Sequence, residues 1–582
     1  MANSNLQSTD QTKPRLQTMD ITSLKAVLAD LRKKIVPGRF EKVQQLDNST
    51  LQIAFRVLEG LVWIELSWNS ESARIVEIKA PKKIEGESTL SKQIRYGLRG
   101  MALIELKQEG FDRIVELGFS FRPNEVIKKQ LILEIMGRHS NILFLDEKRQ
   151  VITLGKQIRN NKSRLRPIST GDPYISPPSL QGVKPKKDEV LEKWRNSLSI
   201  LPVTLKQALK TTFQGISPAF ILQLASEEKD AANRLVNLPV QQLSETEWEK
   251  LFFRWNIWLK ALEKENFFLA FSGPTPYRVW GANPSSNQGN KESISLRLGN
   301  YYKSYLAEKH LTFAFIALCK ELEKKRDNEE KELKKQELLY SKISEINSMK
   351  EIADTILSSE KPSKEDIKKA QKLYTQVKKL RRSKRILVER IELHKGRINF
   401  INETDLFLNY IINNQNDLDS DKLESIRELQ QDLEGFILGK KQTRSNKQSS
   451  KNKSENILRL NSPNGLEIQI GRNHQQNESI SIKNAKKGDI WFHVQECPGS
   501  HIVIKAAHGK VEDLDIEVAA NLAAFFSKAK HNNKVSVLMV PTNKLQKLKG
   551  AAPGMVTPKE IKVLWGRPSD GQHYLEKSTK DA

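Results

Sequence analysis

Cysteine is nearly absent from the chain, and long apolar runs are missing altogether. Only Cys319 and Cys497 occur among 582 residues, which excludes a disulfide framework and a cysteine-rich zinc site. The first eighteen residues lack the apolar stretch of a signal peptide, and no run approaches the ~18 apolar residues that a membrane span needs. We therefore expect a cytoplasmic protein with no membrane partner.

Recognisable catalytic equipment is also missing from the sequence. No glycine-rich loop followed by Lys and Ser or Thr is present to cradle a nucleotide phosphate. The nine histidines are scattered, and their one local group, His493, His501 and His508, matches no standard zinc spacing. We expect a non-catalytic protein without a metal or other cofactor.

Acidic residues are outnumbered by basic ones, 70 against 96, and the formal net charge is +26. A surplus of this size favours a polyanionic partner, because summed charge raises the potential that attracts phosphates. Nucleic acid is favoured over an anionic membrane surface. The alternative is a solvated basic face that keeps a large protein soluble.

Hydrophobic periodicity predicts an α+β multidomain protein. Alternating, strand-like runs fill the region between Arg39 and Leu154, prolines from Pro167 to Pro178 interrupt it, and helical patterning resumes near Glu189. The predicted segments are a disordered tail, or a stretch before a mis-set start codon (1–18), a mixed domain (19–175), a helical domain with a helix-hairpin-helix element (185–275), a coiled-coil middle domain (300–434), a basic linker (435–455) and a C-terminal α+β domain (456–570).

The middle domain has the clearest pattern in the chain. From Ala370 to Ile401 apolar residues step by three and four, with Lys384 and His394 as polar exceptions, which is typical of a coiled-coil seam. A more polar arm begins at Leu311, and the region 358–363 separates the two arms. We predict a long antiparallel coiled-coil hairpin in which the polar exceptions set the register.

Basic clusters at 156–166 and 379–385 could neutralise phosphates, or they could be solvated faces. The turn from Gly215 to Pro218 joins two predicted helices. Such a turn can aim backbone N–H groups at a phosphate, and an ordinary αα-hairpin is an equally good interpretation.

Motifs in the first and last domains resemble those of the NFACT family, and in the family's order. They are Asp20 at the start of an amphipathic helix, a strand at Phe111–Leu117, a turn at Glu134–Ile142, the tripeptide Gly471–Asn473, and the paired segments Asp489–His493 and Pro498–Ile504. The sequence departs from the family pattern at His474 and Glu478, and residues 545–550 are less basic than usual. These departures affect the expected RNA contacts of the last domain.

The resemblance implies an N-terminal domain that grips tRNA, a coiled coil that docks on the large ribosomal subunit near the stalk base, and a C-terminal RNA-binding domain. Such proteins recognise a stalled 50S particle carrying peptidyl-tRNA, recruit alanyl-tRNA and direct mRNA-independent alanine tailing, while ribosomal RNA makes the bond. The expected partners are therefore 50S rRNA, a stalk-base protein and tRNA, with the protein bound as a monomer.

The resemblance also nominates site residues. Asp20, Asp112 and Arg113 are expected to bind tRNA, because Arg can stack on a base or bridge to a phosphate and a carboxylate can accept from base amines or a 2′-OH. Further RNA contacts are expected at Arg138, His139, Arg472, Trp491, His493, Ser500 and His501. Without the resemblance, Asp112 and Arg113 would be interpreted as a strand-end ion pair.

Two other functions compete with this hypothesis. Members of the family have also been labelled fibronectin-binding proteins, so a surface adhesin is one alternative. A mixed domain followed by a helix-hairpin-helix also resembles certain DNA glycosylases. Those enzymes use an N-terminal proline with an adjacent glutamate, and neither Met1-Ala2-Asn3 nor Met19-Asp20-Ile21 supplies this pair.

Overall fold

A computed structural model describes residues 16–84, 86–158, 166–281, 292–341, 343, 346–359, 363–413, 418–437, 457–506, 509–547 and 553–580. The chain divides into two compact units, Met1–Leu306 and Ala307–Ala582. Each unit combines helices with a sheet, which confirms the α+β class. In the described part of the chain, no helix has the length and apolarity to span a membrane.

The first unit contains a nine-stranded antiparallel sheet in the order β4-β3-β2-β1-β5-β6-β7-β8-β9. Its strands are β1 (Gly38–Asp47), β2 (Thr50–Val57), β3 (Gly60–Ser67), β4 (Arg74–Ile78), β5 (Ala102–Lys107), β6 (Ile114–Ser120), β7 (Lys129–Glu134), β8 (Asn141–Leu145) and β9 (Val151–Leu154). Its helices are α1 (Ile21–Ile35), α2 (Thr89–Gly97), α3 (Leu191–Leu198), α4 (Leu205–Thr212), α5 (Pro218–Ala225), α6 (Lys229–Asn237) and α7 (Glu245–Lys264).

Helix α1 packs against this sheet through one apolar stripe. Leu24, Val27, Leu28 and Leu31 recur at helical spacing, and each is completely buried. Asp20 lies directly before the helix, where the sequence places its start, and caps it: its Oδ1 accepts the backbone N–H of the third helical residue.

The predicted disordered tail is wrong for residues 16–18, which belong to the fold. Gln17 is 6% exposed, and its Oε1 accepts the backbone N–H of Tyr277 at 3.2 Å. The hydroxyl of Tyr302 donates to the backbone oxygen of Gln17 at 3.1 Å. Residues 1–15 lie outside the described part of the chain.

The helices α3–α7 share one hydrophobic core with the sheet, so the predicted segments 19–175 and 185–275 lie in the same unit. An aromatic cluster fills this part of the core: Trp255 contacts Trp194, Phe213 and Trp258 with ring centroids 4.8–5.6 Å apart. The hairpin predicted around Gly215 is present as α4 and α5.

A long helix, α8 (Ile294–Ser341), runs from the first unit into the second, which also contains α9 (Ile346–Leu357), α10 (Lys364–Asn413) and α11 (Asp419–Ile437). The antiparallel arms meet where Glu329 of α8 binds His394 at 2.6 Å and Arg397 at 3.2 Å. His394 is thus a polar seam residue as predicted. Lys384 is exposed, so its predicted place on the seam is wrong.

The second unit ends in a six-stranded antiparallel sheet in the order β10-β11-β13-β12-β14-β17 and a small hairpin. Its strands are β10 (Leu458–Asn461), β11 (Glu467–Ile470), β12 (Ile490–Val494), β13 (Ile502–Ile504), β14 (Val535–Pro541), β15 (Leu545–Gln546), β16 (Thr557–Pro558) and β17 (Lys562–Gly566). Its helices are α12 (His474–Glu478), α13 (Asp513–Phe525) and α14 (Pro568–Lys580). The basic linker falls outside the described residues except for 435–437.

Candidate nucleic-acid interface

The three residues expected to bind tRNA lie in one region of the first unit, where α1 begins beside the start of β6. Asp20 is 4% exposed. Its Oδ1 accepts from the backbone and hydroxyl of Ser23 at 2.9 and 2.7 Å, and its Oδ2 accepts from the hydroxyl of Ser217 at 2.6 Å. Three donors hold this carboxylate, so Asp20 has a structural role as a helix cap whether or not it meets RNA.

Arg113 lies next to this cap. Its Nη1 donates to the backbone oxygen of Met19 at 3.4 Å, and burial lowers its pKa while the charge of Asp20 opposes that shift. It forms no ion pair with Asp112, so the strand-end pair proposed as the alternative is not formed. A guanidinium that is half-buried beside a single carboxylate keeps donors available for a phosphate or a base edge.

Asp112, like Arg113, is partly exposed. The amide of Gln108 donates to its backbone oxygen at 2.7 Å and also to the oxygens of Glu109 and Gly110, which fixes the loop before β6. Among the described residues no donor contacts the Asp112 carboxylate. That carboxylate is therefore the side chain of the three that is best placed to accept from a ligand.

The turn between α4 and α5 packs on the same loop. Gly215 has φ +74°, and a Cβ there would lie 3.0 Å from the side chain of Phe111. Ser217 caps α5 by accepting the N–H of Phe220 at 2.9 Å while donating to Asp20. Since the carboxylate of Asp20 faces this helix start, the contact favours an ordinary αα-hairpin here, and phosphate binding by the turn stays a prediction.

Arg138 and His139 are exposed on the turn that joins β7 to β8. Gly137 has φ +58°, and the hydroxyl of Ser140 accepts the backbone N–H of Met136 at 2.8 Å, which holds the turn. Arg138 Nε donates to His139 Nε2 at 3.0 Å. A cation and an imidazole on a fixed, exposed turn can reach RNA, as the sequence predicts.

The expected contacts of the last domain lie mostly below the surface. Trp491, Ser500 and His501 are 1%, 2% and 5% exposed, whereas His493 is half-buried. Burial lowers the pKa of His493 to about 4 and that of His501 well below its ordinary value, so both imidazoles are neutral at pH 7. Their RNA contacts stay a prediction, and in the protein alone both side chains offer neutral nitrogens rather than a positive charge.

The tripeptide before α12 is similarly occupied in packing. The backbone N–H of Arg472 donates to the side-chain Oε1 of Gln476 at 2.9 Å. The side chain of Asn473 caps α12, because its Oδ1 accepts the backbone N–H of Gln476 at 2.8 Å. His474, one of the departures from the family pattern, is 1% exposed and stacks on Phe400 with ring centroids 3.8 Å apart. Arg472 is half-buried, and its RNA contact stays a prediction.

The two basic clusters differ in exposure. Lys379, Arg381, Arg382, Lys384 and Arg385 are all exposed on α10. In the first cluster, Arg166 forms a two-pronged ion pair with Glu134 at 2.6 and 2.8 Å, and Lys156 is half-buried. Residues 159–165 lie outside the described part of the chain. Of the described members, those on α10 are therefore the more accessible to a phosphate.

Sequence reasoning missed the role of Ser217 in tying the helical hairpin to Asp20. The available signal was the run Ser217-Pro218, in which serine precedes proline at a helix start and so predicts a capping hydroxyl. Its second partner lies 197 residues away, a separation that local patterns do not report. Among the described residues no group of His, Cys, Asp and Glu could hold a metal ion.

Comparison with protein families matches most of the chain. The family model for the NFACT N-terminal and middle domains matches residues 20–366 and 359–451. The model for the NFACT protein RNA binding domain matches residues 457–559.

Curated relatives have a similar length. A Streptococcus suis protein named Rqc2 homolog RqcH is 28% identical over 579 residues, which covers 93% of this chain and 96% of the relative. A Bacillus subtilis protein of the same name is 26% identical over 571 residues, covering 91% and 94%. The solved N-terminal structure of the Streptococcus suis fibronectin/fibrinogen-binding protein aligns with 49% of this chain at 25% identity and a TM-score of 0.37.

Proposed function

The chain belongs to the NFACT family, and from that premise we propose that it is a cytoplasmic, non-catalytic factor of ribosome-associated quality control. It binds stalled 50S subunits that carry peptidyl-tRNA, recruits alanyl-tRNA and directs alanine tailing of the nascent chain without mRNA. Ribosomal RNA makes each peptide bond. The observation that carries the proposal is the match of both NFACT models, in order, together with full-length relatives named Rqc2 homolog RqcH.

In this proposal each part of the chain has its own RNA partner. The mixed domain at 19–175 holds tRNA through Asp112 and Arg113, with Asp20 positioning the latter. The coiled coil at 300–434 docks on the large subunit near the stalk base through the exposed cations at 379–385. The domain at 456–570 adds further RNA contacts. The net charge of +26 supports this division, because phosphate binding favours a distributed basic surface.

The surroundings of Asp112 and Arg113 support a tRNA contact. Among the described residues no donor contacts the Asp112 carboxylate, and the next residue, Arg113, donates from Nη1 over a long 3.4 Å to the backbone oxygen of Met19. Both belong to a loop held by Gln108, so a ligand would meet them without ordering the loop first. Preorganised donors and acceptors of this kind suit a base edge or a ribose hydroxyl.

The test is an affinity pull-down of the tagged full chain from native cytosol, with bound RNA sequenced and subunits separated on a gradient. Asp112→Ala combined with Arg113→Ala is expected to lose tRNA and keep 50S subunits. The matched control is Arg39→Ala, which removes an exposed cation from the same sheet. Normal tRNA recovery with the double variant, or recovery of neither RNA with the parent protein, would contradict the proposal.

A further inference from the structure

The edge strand of the C-terminal sheet carries an apolar stripe that the contacts described above leave unused. Val563 and Trp565 are alternate residues of β17 and are 50% and 67% exposed, and Ile561, one residue before the strand, is 49% exposed. Alternate residues of a strand share one face of the sheet, so Val563 and Trp565 lie on the same face. Two large apolar side chains on one face of an edge strand, with a third beside the strand's start, form a patch rather than isolated exposed residues.

The packing of the opposite face directs Trp565 outward. Gly566 is buried, and a Cβ there would lie 2.3 Å from the backbone oxygen of Ala520 in α13. Only glycine fits this contact, which holds the end of β17 against the helix. Because successive residues alternate between the faces, Trp565 must point to the other face, and it does so from a rigid strand.

The same face is covered in the middle of the sheet and open at this edge. Trp565 pairs with Ser536 and Val563 pairs with Leu538 across the two outer strands. Farther in, Trp491 is 1% exposed and packs in a cluster beneath Ile480 and Leu545. The side chains of this cluster therefore cover the inner strands on this face. Val563 and Trp565 stay exposed at the edge, where they form a shelf.

A lysine-rich loop begins at Lys528, whose backbone N–H donates to Pro498, and reaches the sheet at the end of this shelf. Lys528, Lys530 and Lys534 are exposed between α13 and β14. The loop ends at Val535, which pairs with Gly566, so it reaches the sheet at the same end as Trp565. Among the described residues, none of the three lysines forms an ion pair with an acidic side chain.

We propose that Trp565 and Val563 form a stacking shelf for an unpaired base of single-stranded RNA, with Lys528, Lys530 and Lys534 neutralising the adjoining phosphates. The proposal rests on the proposed RNA-binding function and extends it, because the match to the RNA binding domain ends at residue 559. An exposed indole on a rigid sheet stacks on any base, and flexible lysines recognise phosphates without reading sequence. Base pairs in a duplex are already stacked, so the partner is single-stranded.

The charge of the loop favours RNA over a peptide as the occupant. A peptide that extends the sheet would bind the free backbone edge of β17 and would not need the lysines. A base and its phosphates use both the indole and the three cations at once. Peptide binding is therefore the outcome that the experiment must separate from RNA binding.

The first measurement is photo-crosslinking of the full chain to a ten-nucleotide oligouridine that contains 4-thiouridine, followed by mass spectrometry of the cross-linked peptides. We expect a cross-link in the peptide that contains Trp565, lost in Trp565→Ala and retained in Trp565→Phe. Affinity for the same oligonucleotide should fall roughly 5-fold or more in Trp565→Ala. The control is Phe253→Ala, which removes an aromatic side chain of similar exposure, 65%, from α7.

The lysines are tested by the salt dependence of the same binding. Replacing all three with alanine should reduce the slope of log affinity against log salt by up to ~2, since each phosphate contact on a single strand contributes about 0.7. An unchanged affinity in Trp565→Ala, with cross-links elsewhere in the chain, would overturn the proposal. So would binding of an extended peptide that the oligonucleotide cannot displace.

The two proposals fail separately. If Trp565→Ala binds the oligonucleotide as the parent does, while it still co-sediments with 50S subunits and recovers tRNA, only the stacking proposal is refuted. If the parent protein recovers no 50S subunits but cross-links to RNA through Trp565, the quality-control proposal is refuted and the stacking proposal stands.

Discussion

The buried His474 and the partly buried Glu403 form a pair that should make the stability of the second unit depend on pH on both sides of neutrality. The hydroxyl of Thr404 donates to the backbone oxygen of Phe400 at 2.8 Å, so its contact with His474 Nε2 at 2.9 Å requires the imidazole to donate from Nε2. The Nδ1 atom then presents a lone pair to Glu403 Oε2, 3.4 Å away. A protonated carboxyl can donate to that lone pair, whereas a carboxylate is repelled by it.

Burial affects the two groups in opposite directions. It raises the pKa of Glu403 from 4.5 to about 8 and lowers that of His474 from 6.5 to about 3. The folded pair therefore holds one proton from about pH 3 to about pH 8. The unfolded chain holds two protons below pH 4.5, one up to pH 6.5 and none above it. Stability is lost as pH rises from 6.5 to 8, where the folded state binds more protons, and as pH falls from 4.5 to 3, where the unfolded state does.

The alkaline loss can be sized from these values. The gap between the unfolded pKa of 6.5 and the folded value of about 8 corresponds to about 2 kcal/mol. For a unit of this size that equals roughly 4–8 °C in Tm. Glu403→Gln isolates this effect, because its amide can still donate to Nδ1 of His474 but cannot titrate.

Calorimetry of the full chain and of Glu403→Gln between pH 5 and 9 measures the effect as the difference in Tm between the two proteins. Groups that both proteins share cancel in this difference. Because His474 titrates in both proteins and cancels, we expect the parent to lose stability relative to the variant throughout pH 5 to 8, by several degrees between pH 6.5 and 8 alone. A difference in Tm that stays constant between pH 6.5 and 8 would refute the arrangement in which the protonated carboxyl of Glu403 donates to His474.

Two further predictions separate structure from RNA binding. Asp20→Ala removes the cap of α1 and should lower the stability of the first unit by about 1–2 kcal/mol in urea unfolding, whether or not tRNA is bound; an unchanged midpoint would contradict the capping role. Arg381→Ala with Arg382→Ala should weaken 50S co-sedimentation and reduce its salt slope by up to ~2, whereas the control pair Lys331→Ala and Lys334→Ala, exposed on α8, should leave both unchanged.

The sequence predicted those elements whose pattern is local. Strands β1 to β9 fall in the predicted strand region from Arg39 to Leu154 to within a residue, and α1 begins directly after Asp20, because alternation and helical spacing are read within a few residues. The edge strand β17 and the helix α14 were not predicted. One face of β17 exposes Val563 and Trp565 while the other carries Leu564 and the buried Gly566, so the run lacks the alternation of apolar and polar residues that marks a half-buried strand.

The candidate site was predictable in its members and less so in its geometry. Asp20 and Arg113 were nominated by motif, but their proximity is produced by sheet register and by a hairpin more than 190 residues from Asp20. The partner of Arg166, in the cluster at 156–166, could not be read from composition either. The ion pair of Arg166 joins it to Glu134 across 32 residues, and such a partner cannot be seen in a run of basic residues.

The motifs that identify the family combine residues of two kinds, and the structure separates them. In the segment 134–142, Glu134 and Asn141 are 1% exposed: one pairs with Arg166, and the other binds both the N–H and the carbonyl of Lys156. Their burial fixes a turn whose tip presents Arg138 and His139 to solvent. Substituting a buried member should lower stability and RNA binding together, while substituting a tip residue should affect RNA binding alone. Function is therefore best sought in the exposed residues that the buried ones position, and on that reasoning Trp565, outside the matched motifs, is as strong a candidate as the residues within them.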